Sequence, residues 1–216
     1  MATISRLFDD YSSASKAVQE LESAGLNHEQ VSIVASNADN WYSGDGSRGD
    51  TGKRVDRDRD GTDDRAEGAA TGAGIGAALG GAAGLLAGLG LMAIPGIGPV
   101  VAAGWLASTA LGAVAAGTAG GLIGALTQAG VGEEDAHSYA EGVRRGGTLV
   151  TARVPDGELA RYEAILDRSC VNMRERTSAW RNQGWKQFDP SAKPYTADEA
   201  RREREMYGTT RRTGTY

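Results

Sequence analysis

The sequence predicts an α+β protein: a ferredoxin-like split βαβ sheet with a long glycine-zipper helical hairpin inserted between its two halves. Three observations predict it. A strand, helix, strand pattern stands at the start of the chain, and a second one stands after residue 132. Between them, residues 68–132 contain no Asp, Glu, Lys, Arg or His. Inside that run, small residues recur at every fourth position.

Residues 1–37 form the first half. Residues 3–8 read as a short strand, and Asp9-Asp10 offers a cap for the helix that follows. Ala14, Ala17, Val18, Leu21 and Ala24 recur at helical spacing, and Gly25 stands where a helix ends. Val31, Ile33 and Ala35 then alternate with Ser32, Val34 and Ser36, the period of a strand. A unit this small cannot bury enough surface by itself and needs a partner later in the chain.

Residues 38–67 read as a flexible linker of acidic and basic character, with Trp41-Tyr42 its only large apolar pair. Gly52-Lys53 does not complete a phosphate-binding loop. Ser47 replaces the first glycine, and Arg54 replaces the hydroxyl residue that would reach the metal. Residues 56–67 fit a calcium loop better. Asp56, Asp58, Asp60, Thr62, Asp64 and Glu67 fall at liganding positions, and Gly61 stands where the loop turns sharply. Calcium takes six to eight oxygen ligands, and this spacing brings alternate side chains inward. Asp63 departs from the pattern, because an apolar residue usually occupies that place, and there is no second copy of the loop. The alternatives are a single open Ca2+ site and a solvated charged linker.

Residues 68–132 are the predicted hairpin. Its first arm carries Gly68, Gly72, Gly76, Gly80, Gly84 and Gly88; its second carries Gly104, Ser108, Gly112, Ala116, Gly120 and Gly124. The knot from Ile94 to Pro99 separates the arms. Glycine inside a helix costs about 1 kcal/mol relative to alanine, so a row of six implies a compensating close contact. Small faces supply it by letting two helix backbones approach. Each arm is long enough, at about 37 Å, to cross a bilayer. The first arm has few large side chains, so it is a poor solitary span. The hairpin is expected either to meet a membrane as a pair or to form the dry interior of an oligomer.

Residues 133–176 form the second half. Glu133, Glu134 and Asp135 suit a helix start, and Ala136, Tyr139, Ala140 and Val143 give its apolar face. Arg144-Arg145 closes that helix and Gly146-Gly147 breaks it. Residues 148–154 read as a strand, residues 156–166 as a helix and residues 171–175 as a last strand. Residues 177–216 form a polar, partly disordered tail. In it, Trp180, Trp185 and Phe188 are expected to fold back on the sheet. Thr196 and Glu199 make a capping box for a helix through Met206, with disorder beyond Tyr207.

Composition narrows the function. A net charge of -5 over 216 residues, with both signs mixed, argues against a nucleic-acid binder. One cysteine, Cys170, suits a reducing compartment, and the first residues lack a secretion signal. The expected location is the cytoplasmic side, membrane-associated and not secreted. The two histidines, His28 and His137, lie in helix or turn settings that read as surface, so no catalytic residue is expected.

Four segments together carry a resemblance: residues 5–11 (Ser-Arg-Leu-Phe-Asp-Asp-Tyr), residues 34–40 (Val-Ala-Ser-Asn-Ala-Asp-Asn), the glycine run, and residues 139–151 with their Arg-Arg-Gly-Gly-Thr-Leu-Val core. Over residues 1–190 the chain resembles the bacterial general stress protein 17M-like family, with its YflT-type domain. The resemblance implies a stress-associated protein and no catalytic residues. The expected function is a non-enzymatic general stress protein whose hairpin serves membrane association, self-assembly into a homo-oligomer, or both. The alternatives are a calcium-responsive module and a soluble oligomeric ligand-binding regulator.

Overall fold

The computed structural model describes residues 1–42, 89–115 and 121–213. They form an α+β fold around a five-stranded antiparallel sheet. The strands are β1 (Ala2–Phe8), β2 (Val31–Ser36), β3 (Gly90–Ile94), β4 (Gly98–Gly104) and β5 (Thr148–Val154). Their spatial order is β1-β5-β2-β4-β3. β5 lies antiparallel between β1 and β2, with Ile4 opposite Ala152 and Ile33 opposite Val150. β1 and β2 therefore run parallel to each other, as the helix between them requires.

Seven α-helices accompany the sheet among the described residues: α1 (Tyr11–Ser23), α2 (Trp105–Ala115), α3 (Gly121–Gln128), α4 (Glu133–Arg144), α5 (Leu159–Leu166), α6 (Met173–Asn182) and α7 (Ala197–Thr213). Strand alternation separates two cores. On one face Ile4, Phe8, Val31, Ile33, Val150, Ala152 and Val154 meet Ala14, Val18 and Leu21 of α1 and Tyr162 and Leu166 of α5. On the other, Leu7, Val34, Val100, Ala102 and Leu149 meet α2, α3 and α4 through Leu106, Ala110, Leu122, Leu126, Ala140 and Val143. Asp10 caps α1 by accepting from the Ser13 amide, as its sequence position predicts.

Three expectations are corrected. Residues 90–94 and 98–104 are strands, not helix, on either side of the turn. Ile94 and Ile97 close the β3–β4 turn with a 3.0 Å backbone bond, and β4 pairs with β2 from Ser36 opposite Val100 to Ser32 opposite Gly104. A charge-free run has no polar period to separate helix from strand, and pairing with β2 decides it. Second, residues 171–175 are not a strand. The Val171 amide gives one bond to the Leu7 carbonyl at 2.6 Å, and Asn172 then caps α6. Third, α7 continues past Tyr207 to Thr213, where the sequence predicts disorder.

Gly104 shows why the second arm cannot be one helix. Its φ is +87°, and a Cβ there would lie 2.3 Å from the Val31 carbonyl oxygen. It ends a strand, and the chain enters α2 at the next residue. Among the described residues no helix is long and apolar enough to cross a membrane.

Candidate functional site

The base of the segment between β2 and β3 is built by six residues. β2 ends at Ser36, and the Asn37 amide continues the sheet with a 2.8 Å bond to the Pro99 carbonyl. The Asn37 side chain then brackets Tyr42. Its Nδ2 donates to the Tyr42 carbonyl at 2.8 Å, and its Oδ1 accepts from the Tyr42 amide at 3.0 Å. Between them Asn40 adopts a φ of +53°, a conformation asparagine tolerates better than most residues. The Tyr42 hydroxyl crosses to Leu89 and donates to its carbonyl at 2.9 Å. Residues 42 and 89, the described residues on either side of the intervening segment, thus meet.

An aromatic group surrounds this exit. The Trp41 ring stacks on Tyr11 with centroids 4.7 Å apart and meets Tyr42 edge-on at 5.8 Å. Trp41 Nε1 donates to the Ser36 carbonyl at 2.8 Å. Even so, Trp41 is 41% exposed and Leu91, just past the re-entry, is 51% exposed. Nearby acids are matched: Asp9 with Arg176 at 2.8 Å, and Asp39 with Arg204 at 3.0 Å.

A second cluster holds the tail. Glu141 of α4 is fully buried and takes both Arg144 (2.6 Å) and Arg145 (2.5 Å). Arg145 also reaches Glu203 of α7 at 3.1 Å, and Glu203 accepts from Trp180 Nε1 at 2.7 Å. The Arg145 guanidinium lies 4.8 Å from the centre of the Trp180 ring. Burial works against the charge of Arg145, but Glu141 and then Glu203 overcome it and hold its pKa above the ordinary value. Gly146 completes the corner. Its φ is +99°, and a Cβ there would lie 2.8 Å from the Ala200 Cβ. The Arg-Arg-Gly-Gly motif is therefore a seat for α7. Of the three residues expected to fold back on the sheet, Phe188 joins the core, Trp180 is buried against Arg145 and Glu203, and Trp185 is half-buried beside Trp180.

A cleft of about 600 Å³ lies at the outer edge of β1, lined by Arg6, Tyr139, Asp167, Cys170, Asn172 and Arg174 among others. Arg6 is held by Asp167 at 2.6 Å and Glu163 at 3.3 Å. Burial pushes the Tyr139 phenol up to about 12, so it stays protonated and donates to the Ser5 carbonyl at 2.6 Å. The cleft thus contains a neutral phenol and a matched ion pair.

Of the predicted helix-packing residues, Gly68, Gly72, Gly76, Gly80, Gly84, Gly88, Ala116 and Gly120 lie outside the described residues. Gly104 ends β4, as corrected above. Ser108 and Gly112 lie on α2 and Gly124 on α3. Ser108 and Gly124 are exposed, and a Cβ at Gly124 would meet nothing within 4 Å. The core is filled from the opposite side of these helices by Leu106, Ala110, Leu122 and Leu126. Asp56, Asp58, Asp60, Thr62, Asp64 and Glu67 lie outside the described residues. Among those that are described, no group of three His, Cys, Asp or Glu side chains could hold a metal.

Sequence reasoning missed the Glu141–Arg145–Glu203 chain and the Tyr42–Leu89 contact. Glu141 stands three and four residues before Arg144 and Arg145, a helical ion-pair spacing that was legible. Nothing local marks Glu203 or Leu89 as the remote partner. Comparison with known protein families, with curated proteins and with solved structures finds nothing that matches this chain.

Proposed function

We propose that this chain is a non-enzymatic, stress-associated protein that carries a charge-free segment to a membrane on its cytoplasmic side. The observation that carries the reading is the Tyr42–Leu89 hydrogen bond, which joins the two ends of the intervening segment on a rigid sheet. The charge-free sequence of residues 68–88 returns through that junction. The general stress protein 17M-like resemblance supports the stress role. It also supports the finer fold, a ferredoxin-like split βαβ core of β1, α1, β2, β5 and α5 with the segment inserted after β2. The buried Glu141–Arg145–Glu203 chain and the matched Arg6–Asp167 pair support a structural, non-catalytic use of the charged residues.

Cell fractionation tests the reading. The full chain is expected in the membrane pellet after a carbonate wash, and a form lacking residues 68–88 in the soluble fraction. Recovery of the full chain wholly in the soluble fraction would overturn it.

Self-assembly into a homo-oligomer is the second reading, favoured by the outward Ser108 and Gly124. Small residues on an outer helix face allow a copy to approach closely. Gly124→Leu should then lower the oligomeric state measured by light scattering. An unchanged mass would remove this reading.

A further inference from the structure

We propose that the surface around Tyr11, Trp41, Tyr42, Leu89 and Leu91 rests in the interfacial layer of a lipid bilayer and sets how the domain sits on it. This inference rests on the membrane reading and names the surface that reading leaves open. Among the described residues the exposed large hydrophobic side chains are Met1, Trp41, Leu91 and Met206. Two of these four flank the junction where the chain leaves and returns. Their position is not a product of loose packing. Trp41 is fixed by its stack on Tyr11 and its bond to Ser36, and β3 fixes Leu91 opposite Val101 of β4.

Leu91 points to the sheet face that bears α1 and α5, because its neighbour Met92 packs into the opposite core. Tyr11 and Leu89 pack against that same face. The apolar residues therefore share one side of the molecule. Their polar tips are already satisfied, Trp41 Nε1 by Ser36 and the Tyr42 hydroxyl by Leu89. Indole and phenol rings with an apolar body and one polar tip are the groups that collect at membrane–water interfaces.

The electrostatics match an electroneutral contact. Asp9 and Asp39 are paired with Arg176 and Arg204, and Asp10 is used by the α1 cap. Among the described residues of this surface no unmatched basic cluster is offered to anionic headgroups, so binding through it should not depend on them. Continuity of the apolar sequence points to lipid as the occupant. The charge-free run that begins at Gly68 passes directly into Leu89 and Leu91.

Vesicle flotation with the full chain tests the proposal, using phosphatidylcholine alone and phosphatidylcholine with phosphatidylglycerol. Lipids brominated near the headgroup serve as quenchers of tryptophan emission. The full chain is expected to float equally with both compositions and to be quenched by the brominated lipid. Trp41→Phe should still float but lose most of that quenching, since Trp180 is buried, Trp185 is half-buried edge-on against it, and Trp105 is covered by Arg153 at 3.6 Å. Leu91→Ser should weaken binding by about fivefold, the loss of partial burial of one leucine. Near-ultraviolet circular dichroism confirms that both variants are folded. Flotation with quenching unchanged in Trp41→Phe would overturn this surface while leaving the membrane reading intact. Flotation that requires phosphatidylglycerol would overturn the electroneutral contact. Failure of the full chain to float on either composition would overturn the membrane reading, and this surface with it.

Discussion

Arg145 Nη1 and Glu203 Oε1 lie 3.1 Å apart across 58 residues of sequence, and both side chains are nearly buried. Glu203→Ala removes one of the two carboxylates that balance Arg145 and the acceptor that Trp180 Nε1 uses among the described residues. Breaking a buried pair of this kind costs about 3 kcal/mol, which for a chain of this size lowers the melting temperature by roughly 10 °C. Trypsin should then cut readily after Arg181 and Lys186. Glu203→Gln keeps an acceptor for Trp180 and should cost less. Wild-type melting and wild-type cleavage in Glu203→Ala would exclude the clasp.

Two glycines that look alike in the sequence should behave in opposite ways. At Gly104, alanine would place its Cβ against the Val31 carbonyl at a φ of +87°, and a loss of at least about 2 kcal/mol is expected. At Gly124, in the interior of α3 with open space around it, alanine should raise stability by about 0.5–1 kcal/mol. Urea melts of the two variants measure both. Equal effects would contradict the strand ending at Gly104.

Replacement of residues 43–88 by a flexible linker of about six residues should leave the fold in place, because Tyr42 already reaches Leu89. Far-ultraviolet circular dichroism and the melting temperature should stay close to those of the full chain. An unfolded product would show that the domain depends on the segment.

Glu22 gives a pH prediction. Burial pushes its carboxyl pKa above the usual glutamate value, with the nearby His28 acting the other way. Neither carboxylate oxygen has a hydrogen-bond partner. A raised folded-state pKa means that the folded form holds the proton more tightly than the unfolded form does. The associated stability is full below the ordinary glutamate pKa of 4.5 and is lost as pH rises through the folded value. Glu22→Gln should therefore stabilise the protein at pH 7 and flatten the decline in melting temperature just above pH 4.5. The same decline in both proteins would assign it to another group.

Local sequence announced the first half of the fold and the strand at residues 148–154, because apolar spacing and caps act within a few residues. The Asp10 cap and the Thr196–Glu199 capping box are both formed. The stretch from Gly90 to Gly104 misled for a definite reason. Glycine at every fourth place also fits a chain that turns at Gly96 and ends a strand at Gly104, and only β2 as a neighbour separates the two. The candidate site was half legible. Trp41-Tyr42 stood out in a polar linker, yet their use depends on Ser36 and Leu89, and residue type predicts neither contact.

The Asn37 bracket bears on mechanical load. A pull on the chain beyond Tyr42 meets the two bonds between Asn37 and Tyr42 first, and then the Trp41–Ser36 bond. The Asn37–Pro99 bond passes what remains onto β4. These few bonds stand in series before the ladder of β2. Tension applied at Tyr42 therefore loads these side-chain bonds before it loads the register of the sheet.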